Sequence, residues 1–220
     1  RRDSSIDYGT NPCSEIILRP KQFCNLSEVV IRAEDTPETL QRKVELATIL
    51  GTIQSCFTDF KGLSRQWMRN TEEERLLGVS LTGILDNKMM ANQTNDNLPA
   101  LLSNLRLIAV NTNRKWSKYL GIEPSAAITC VKPSGTVSQL VDAASGIHPR
   151  HSEYYIRTVR ADKKDPLTKF MTEKGFPVED ELLKPQSMSV FSFPVKAPKG
   201  ALTRDKLSAI DHLKIWQVYS

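Results

Sequence analysis

The stretch Leu26-Ser27-Glu28-Val29-Val30-Ile31, followed closely by Asp35-Thr36-Pro37, decides the fold. The first part is short and rich in β-branched residues, which reads as a strand, and the second supplies a cap and a proline for the first turn of a helix. Beyond Pro37, Leu40, Val44, Ala47, Leu50, Ile53, Phe57 and Phe60 recur at steps of three and four, which predicts one helical face about six turns long. The unit then repeats. Residues 77–81 read as a buried strand, and Leu98, Leu101, Leu105, Ile108, Thr112 and Trp116 trace a second long helix that Gly121 ends. Residues 126–131 give a third strand, followed by the turn Pro133-Ser134-Gly135 and a short helix from Thr136. Residues 154–159 give a fourth, with a helix capped by Asp165-Pro166 and stopped by Gly175; residues 187–195 give a fifth, and 203–219 a closing helix. Five strands alternating with helices predict a parallel α/β sheet, because each parallel crossover needs a covering helix. Functional groups then collect at the carboxyl ends of the strands. Chain order alone leaves open whether that sheet is open, closed or part of a larger barrel.

The composition is that of an ordinary globular protein. Of 220 residues, 40% are hydrophobic and 25% charged, with 10 Gly and 12 Pro, which excludes disordered, collagen-like and low-complexity classes. No Pro/Gly/Ser-rich linker interrupts the chain, so one domain over 1–220 is expected. Thirty Lys+Arg against 25 Asp+Glu leave a net charge of +5, spread so evenly that it points weakly to anions such as phosphates. Its densest cluster, 157–164, contains Asp162 and falls short of a nucleic-acid stripe, so no direct nucleic-acid binding is expected. The uncharged, mostly apolar stretch 76–85 is about half of what a membrane helix needs, and no membrane span is expected. Arg1-Arg2-Asp3-Ser4-Ser5 has neither an initiator Met nor an apolar run behind its charges, which suggests a piece of a longer protein without a signal peptide. Four cysteines without a C-x-x-C pair argue against zinc and against a disulfide framework, and favour a cytoplasmic chain with reduced thiols.

Chemistry concentrates in Asn11-Pro12-Cys13-Ser14-Glu15-Ile16-Ile17-Leu18, continuing through Phe23-Cys24-Asn25-Leu26. An amide, a thiol and a carboxylate stand at alternate positions, so in an extended loop Asn11, Cys13 and Glu15 would face one way. A capped loop with a buried Cys would be the default for any one of them. Together, with Cys24 eleven residues on, they favour function. Residues 133–138 lie between a strand and a helix start, where free N–H groups attract anions, although an ordinary capping turn has the same sequence character. His148 and His151 are separated by Pro149 and lack acidic or thiol partners at matching spacing, so they read as loop histidines and no metal site is assigned. Cys56, beside Phe57, and Cys130, ending an apolar strand, read as small core residues. Tyr154 and Tyr155 read as strand residues with one ring in the core.

These blocks resemble the ribonucleotide reductases, most closely the monomeric, adenosylcobalamin-dependent (class II) ribonucleoside triphosphate reductases. The resemblance rests on Asn11 to Glu15, on Glu74-Arg75-Leu76-Leu77-Gly78-Val79-Ser80-Leu81-Thr82-Gly83, on Lys132-Pro133-Ser134-Gly135-Thr136-Val137-Ser138 and on Gly146-Ile147-His148-Pro149, in that order. It implies half of a ten-stranded α/β barrel inside a larger catalytic domain, with 1–25 as the active-site finger loop and 26–220 as the half-barrel. By resemblance, Cys13 becomes the thiyl radical that removes the 3′ hydrogen of the ribose, a task for which an S–H bond close in strength to the ribose C–H bond is suited. Glu15 takes the 3′-OH proton, Asn11 holds the ribose hydroxyls, and Cys24 is one of two thiols that deliver reducing equivalents as the 2′-OH leaves as water. Pro133, Ser134, Gly135, Thr136, Val137 and Ser138 match the substrate-phosphate cradle. The spacing from Cys13 to Cys24 favours the cobalamin class. The implied cofactor is adenosylcobalamin; the implied partners are a ribonucleotide di- or triphosphate, a dithiol reductant such as thioredoxin, and an upstream segment of the same enzyme. Two alternatives stand beside this reading: a reductase whose radical comes from a separate metallosubunit, and a non-catalytic nucleotide-binding or regulatory remnant. Because only five units are counted, and no Cys follows Cys130, the chain alone is expected not to turn over.

Overall fold

The computed structural model describes residues 2–92 and 96–220, so Arg1, at the start of the expected finger loop, lies outside the described residues. A minimal antiparallel hairpin comes first, β1 (Gly9–Thr10) against β2 (Ile17–Leu18). Strand β3 (Asn25–Val30) runs into helix α1 (Pro37–Gln54), whose first turn is closed by a capping box between Thr36 and Thr39. Helix α2 (Arg65–Glu74) precedes β4 (Leu77–Thr82), which pairs with β3 in parallel from Asn25↔Leu77 to Val30↔Thr82. Then come the single turn α3 (Lys88–Ala91), the long α4 (Leu98–Leu120) and the short α5 (Thr136–Leu140). As expected, α4 ends at Gly121, whose φ of 66° is a left-handed cap. The chain continues through β5 (Tyr154–Asp162), α6 (Pro166–Glu173), β6 (Val178–Asp180), β7 (Met188–Lys196) and α7 (Ala209–Tyr219).

The chain packs as two compact units, residues 1–150 with 199–220, and residues 151–198, where a single domain had been expected. In the first unit the core lies between the β3–β4 pair and the helices, and contains Val29, Ile31, Leu40, Val44, Val79, Leu105, Ala109 and Ile215. The third expected strand is there in reduced form. It reaches β4 through Leu77 N–H to Ala127 O (3.0 Å), Val79 N–H to Ile128 O (2.8 Å) and Cys130 N–H to Val79 O (3.1 Å), with one parallel bridge at Val79↔Thr129.

The expected apolar face of α1 needs correction. The helix stops at Gln54, Leu50 is 65% exposed, and Phe57 is 73% exposed beyond the helix end. The buried face is completed by Thr48, Gly51 and Thr52. Both threonines can turn inward because each hydroxyl donates to the carbonyl one turn back, Thr48 to Val44 and Thr52 to Thr48, at 2.7 Å each. Their polar atoms are satisfied, so their methyl groups pack like valine.

The second unit corrects the expectation of five parallel strand-helix units. Strands β5, β7 and β6 form an antiparallel sheet in that order, with β5 and β7 paired from Tyr154↔Lys196 to Asp162↔Met188. Helix α6 does appear, capped by Asp165 and followed by Gly175, but it joins antiparallel neighbours. The fourth and fifth expected strands thus pair with each other, and the parallel pairings among the described residues are those of β3 with β4, of Val79 with Thr129 and of Arg150 with Thr203.

Candidate functional site

Side-chain alternation along the parallel pair gives the sheet two different faces. Leu77 packs on α1, its methyl groups 3.5 and 3.6 Å from where a Cβ on Gly51 would stand. Gly78 therefore looks the other way, and a Cβ there would collide with Leu26 and lie 3.2 Å from both Cys130 Sγ and Ile16 Cδ1. Leu26, Cys130 and Ile16 thus meet over Gly78, and the β1–β2 turn lies across the face turned away from the helix. Cys24, two residues before Leu26, belongs to this same face by alternation.

The turn is tight where an extended loop had been expected. Asn11 N–H donates to Ile16 O (3.2 Å), Ser14 N–H donates to Asn11 O (2.9 Å), and Ser14 takes a φ of 63°. Asn11 closes it from the side, its Oδ1 accepting from Ile16 N–H at 3.0 Å. Cys13 and Glu15 consequently part company: Cys13 is exposed, while the Glu15 side chain is only 1% exposed. Neither Glu15 carboxylate oxygen has a hydrogen-bond partner among the described residues.

One cation faces that carboxylate, the Lys132 ammonium at 3.4 Å from Oε1. Desolvation alone would raise the Glu15 carboxyl, but its own main-chain N–H, the Asn11 amide and Lys132 outweigh it and hold the group below the ordinary carboxylate range. The charge is felt by two thiols. Burial pushes Cys24 up, and Glu15 adds to it. Burial pushes Cys130 up to about 12, with Glu15 and Cys24 adding and Lys132 opposing. Both thiols are held protonated beside a carboxylate that stays charged.

Lys132 opens the segment that continues into α5. Gly146 presses against this segment: a Cβ on Gly146 would stand 3.0 Å from Lys132 O and 3.3 Å from Ser134 N, and its φ is 54°. Only a glycine satisfies both conditions. Ser145 Oγ donates to Ser134 O, and the Gly146 N–H donates to Thr82 Oγ1 at 2.8 Å, tying the turn to the end of β4. Ser134 is buried and its hydroxyl has no hydrogen-bond partner among the described residues, while Thr136 and Val137 are exposed. The expected helix after the turn has only five residues, with Gly135 at its N-cap.

The site residues expected from sequence therefore divide. Glu15 and Cys24 share one electrostatic neighbourhood, Asn11 shapes the turn, and Cys13 stands outside it on the exposed side. Cys130, expected as a plain core residue, is half-buried on the same face, and Cys56, expected in the core, is exposed. Lys132 and Glu28 went unassigned in the sequence. Glu28 Oε1 is buried without a hydrogen-bond partner among the described residues, and its alternation with Leu26 puts it on this face. The signal for Lys132 was its place at the head of the Lys-Pro-Ser-Gly-Thr block. His148 is exposed and meets His212 edge to face at 5.2 Å, whereas His151 opens the second unit. Tyr154 is 63% exposed on β5. A cavity of about 620 Å³ in the first unit, among Val44, Leu81, Leu102 and Tyr219, touches the site at Cys130. It is lined mainly by core aliphatics and contains neither Glu15 nor Lys132. No helix of the described chain is long and apolar enough to cross a membrane.

No family model matches the chain. Over 219 residues it is 30% identical to the adenosylcobalamin-dependent ribonucleoside-triphosphate reductase of Levilactobacillus brevis, an overlap of 89% of this chain and 29% of that protein. Over 217 residues it is 27% identical to the protein of the same name from Euglena gracilis, covering 97% of this chain and 28% of that one. A solved B-12 dependent (class II) ribonucleotide reductase matches with a TM-score of 0.74 at 25% identity, over 96% of this chain and 33% of the other. The chain is thus similar to class II ribonucleotide reductases over nearly its whole length, and its mixed α/β fold matches theirs. It spans about 29% of the length of the curated relatives it matches.

Proposed function

We propose that this chain carries the radical-bearing part of an adenosylcobalamin-dependent ribonucleotide reductase and takes part in reducing ribonucleotides to 2′-deoxyribonucleotides. The observation that carries the reading is the turn 11–16, which exposes a thiol at Cys13 and, two residues on, buries a carboxylate whose oxygens have no hydrogen-bond partner among the described residues and only the Lys132 ammonium opposite. A buried acceptor left without a donor is costly, and a substrate hydroxyl is the donor this reading supplies.

On this reading Cys13, in thiyl form, takes the 3′ hydrogen atom from the ribose and later returns it. Glu15 accepts the 3′-OH proton, for which its ionised state prepares it. Asn11 has Oδ1 committed to Ile16, and its NH₂ group, which also acts on Glu15, has a second hydrogen to donate to a ribose hydroxyl. Cys24, kept as a thiol by burial and by Glu15, gives a hydrogen equivalent as the 2′-OH leaves as water. A second thiol, from the part of the enzyme that this chain does not span, closes the disulfide with Cys24, and a dithiol reductant such as thioredoxin reopens it. Residues 133–138 take the substrate phosphates, supported by the partnerless Ser134 hydroxyl and by the exposed positions that follow it. The exposure of Cys13 fits a cofactor that must meet the sulfur directly. When bound, adenosylcobalamin supplies the initiating radical by homolysis of its Co–C bond.

The fine architecture we propose is a finger loop over 1–25 followed by a barrel portion that is completed by an upstream segment. The test is an assay with adenosylcobalamin, a ribonucleotide and a dithiol, on this chain alone and mixed with the upstream segment of a relative. Deoxyribonucleotide formed only on mixing supports the reading. Multiple turnovers by the chain alone would overturn the divided arrangement, and no product from a mixture shown to associate would overturn the function.

A further inference from the structure

Lys132 stands outside the roles assigned above, yet it is the one described cation paired with the buried carboxylate. We propose that Lys132 is the positioning residue for Glu15: its ammonium keeps the buried carboxylate ionised and aimed at the substrate hydroxyl, while its main chain opens the turn assigned to the phosphates. The proposal rests on the reading of Glu15 given above, and its direct readout does not.

The geometry sets the argument. Glu15 is 1% exposed and Lys132 24%, so the pair is dry at the carboxylate end and wet at the ammonium end. Taking a carboxylate out of water without hydrogen bonds favours its neutral form, and a neutral Glu15 cannot accept a proton. The other titratable groups on this face are Glu28 on β3, an acid that brings no positive charge, and the thiols Cys24, just before β3, and Cys130, on the third strand segment. Both thiols are held protonated, so neither supplies a counter-charge. The remaining help comes from the Glu15 N–H and the Asn11 amide, both of which are dipoles. Among the described residues Lys132 alone brings a full opposite charge, and its backbone is held in place. Gly146 packs on Lys132 O, and Ser145 and Thr82 hold the neighbouring chain. A lysine at a free loop position would lose side-chain entropy to make this pair; here only the side chain remains to be ordered.

The readout is the carboxyl carbon of Glu15, followed by ¹³C NMR against pH in the 220-residue chain, for wild type, Lys132→Met and Lys132→Arg. In Lys132→Met the Glu15 midpoint should rise by about one pH unit or more, within the range that an opposite charge at this distance produces. Lys132→Arg should return it towards wild type. If the methionine variant does not fold, Lys132→Gln carries the same comparison. A midpoint that does not move in the neutral variant overturns the proposal. In the assembled enzyme, the acid limb of the pH–rate profile should move upward in Lys132→Met by a similar amount, with less change in KM than in kcat. A shifted carboxyl together with full turnover by Glu15→Gln would uphold the pairing and sink the catalytic reading of Glu15, which keeps the two failures apart.

Discussion

Arg150 grips Asp86 through two hydrogen bonds, Nε to Oδ1 at 2.9 Å and Nη2 to Oδ2 at 2.8 Å, with both side chains 3% exposed. The same guanidinium reaches Asp142 Oδ1 at 2.7 Å and Asp142 O at 2.9 Å, and Asp86 Oδ2 also accepts from Ala144 N–H. Residues 142–150 are thereby fastened just beyond the end of β4. Because Gly146 lies inside that segment and presses on the backbone of Lys132, a structural ion pair fixes one wall of the candidate site.

Arg150→Met should therefore be costly. Removing one member of a buried ion pair leaves the Asp86 carboxylate buried without its cation and with only the Ala144 N–H as donor, a loss of about 3–5 kcal/mol. Denaturant unfolding should show the midpoint falling accordingly. A loss below about 1 kcal/mol, within the range of exposed pairs, would mean that the clamp does not hold the segment.

Gly78→Ala should act on the opposite wall. The added methyl group collides with Leu26 and crowds Cys130 and Ile16, so either the β1–β2 turn lifts or β3 shifts, at roughly 1–3 kcal/mol. Amide chemical shifts should then move in residues 11–18. Changes confined to β3 and β4 would show that the turn does not rest on Gly78.

Thiol reactivity gives a prediction in pH. The thiolate is the reactive form, and with Cys130 pushed up to about 12, on the order of one molecule in ten thousand carries it near pH 8. Alkylation followed by mass spectrometry should label exposed Cys13 and Cys56 first, Cys24 later and Cys130 last. Since the folded value lies above the unfolded one of about 8.5, Cys130 adds stability that is complete below that pH and is lost as pH rises towards about 12. Cys130→Ala should make the alkaline fall in stability shallower. Early labelling of Cys130 at pH 8 would contradict its burial.

Much of this was legible in the sequence because it depends on local patterns. The strand and capped helix over 26–54, the parallel strand at Leu77–Thr82, the long helix closed by Gly121 and the helix between Asp165 and Gly175 all announce themselves through period and caps. Helix α2 was missed because Arg-Gln-Trp-Met-Arg-Asn-Thr-Glu-Glu-Glu has no apolar stripe, and the residues it buries are Thr71 and Glu74. Glu74 is paid for by partners far away in sequence, Arg2 and Gln22, which no window around the helix contains. The antiparallel pairing of β5 and β7 was invisible for a related reason: alternation along one strand does not state the direction of its neighbour. At the site, residue types located Glu15 and Cys24, but the tight turn that separates Cys13 from Glu15 depends on Ser14 at positive φ, which its sequence does not advertise.

That separation shapes the last prediction, a pair of substitutions measured in the assembled enzyme. Cys13 is exposed on the turn, so Cys13→Ser should leave the fold and nucleotide binding intact and abolish turnover, because a serine O–H bond is too strong to yield the radical readily. Glu15 is buried, with the Lys132 ammonium facing it and no hydrogen-bond partner on either oxygen among the described residues, so Glu15→Gln keeps the volume and removes the base. Its rate should fall by ~10²- to 10⁴-fold, the usual range for lost general acid–base catalysis, with little change in substrate affinity. The glutamine also takes the charge away from Lys132, Cys24 and Cys130, so the two thiols should titrate lower in that variant while those in Cys13→Ser stay put. Appreciable product from Cys13→Ser would remove Cys13 from the chemistry. Near-normal turnover by Glu15→Gln, with the thiols shifted as expected, would leave Glu15 as the group that keeps its neighbours protonated and assign proton removal to another residue.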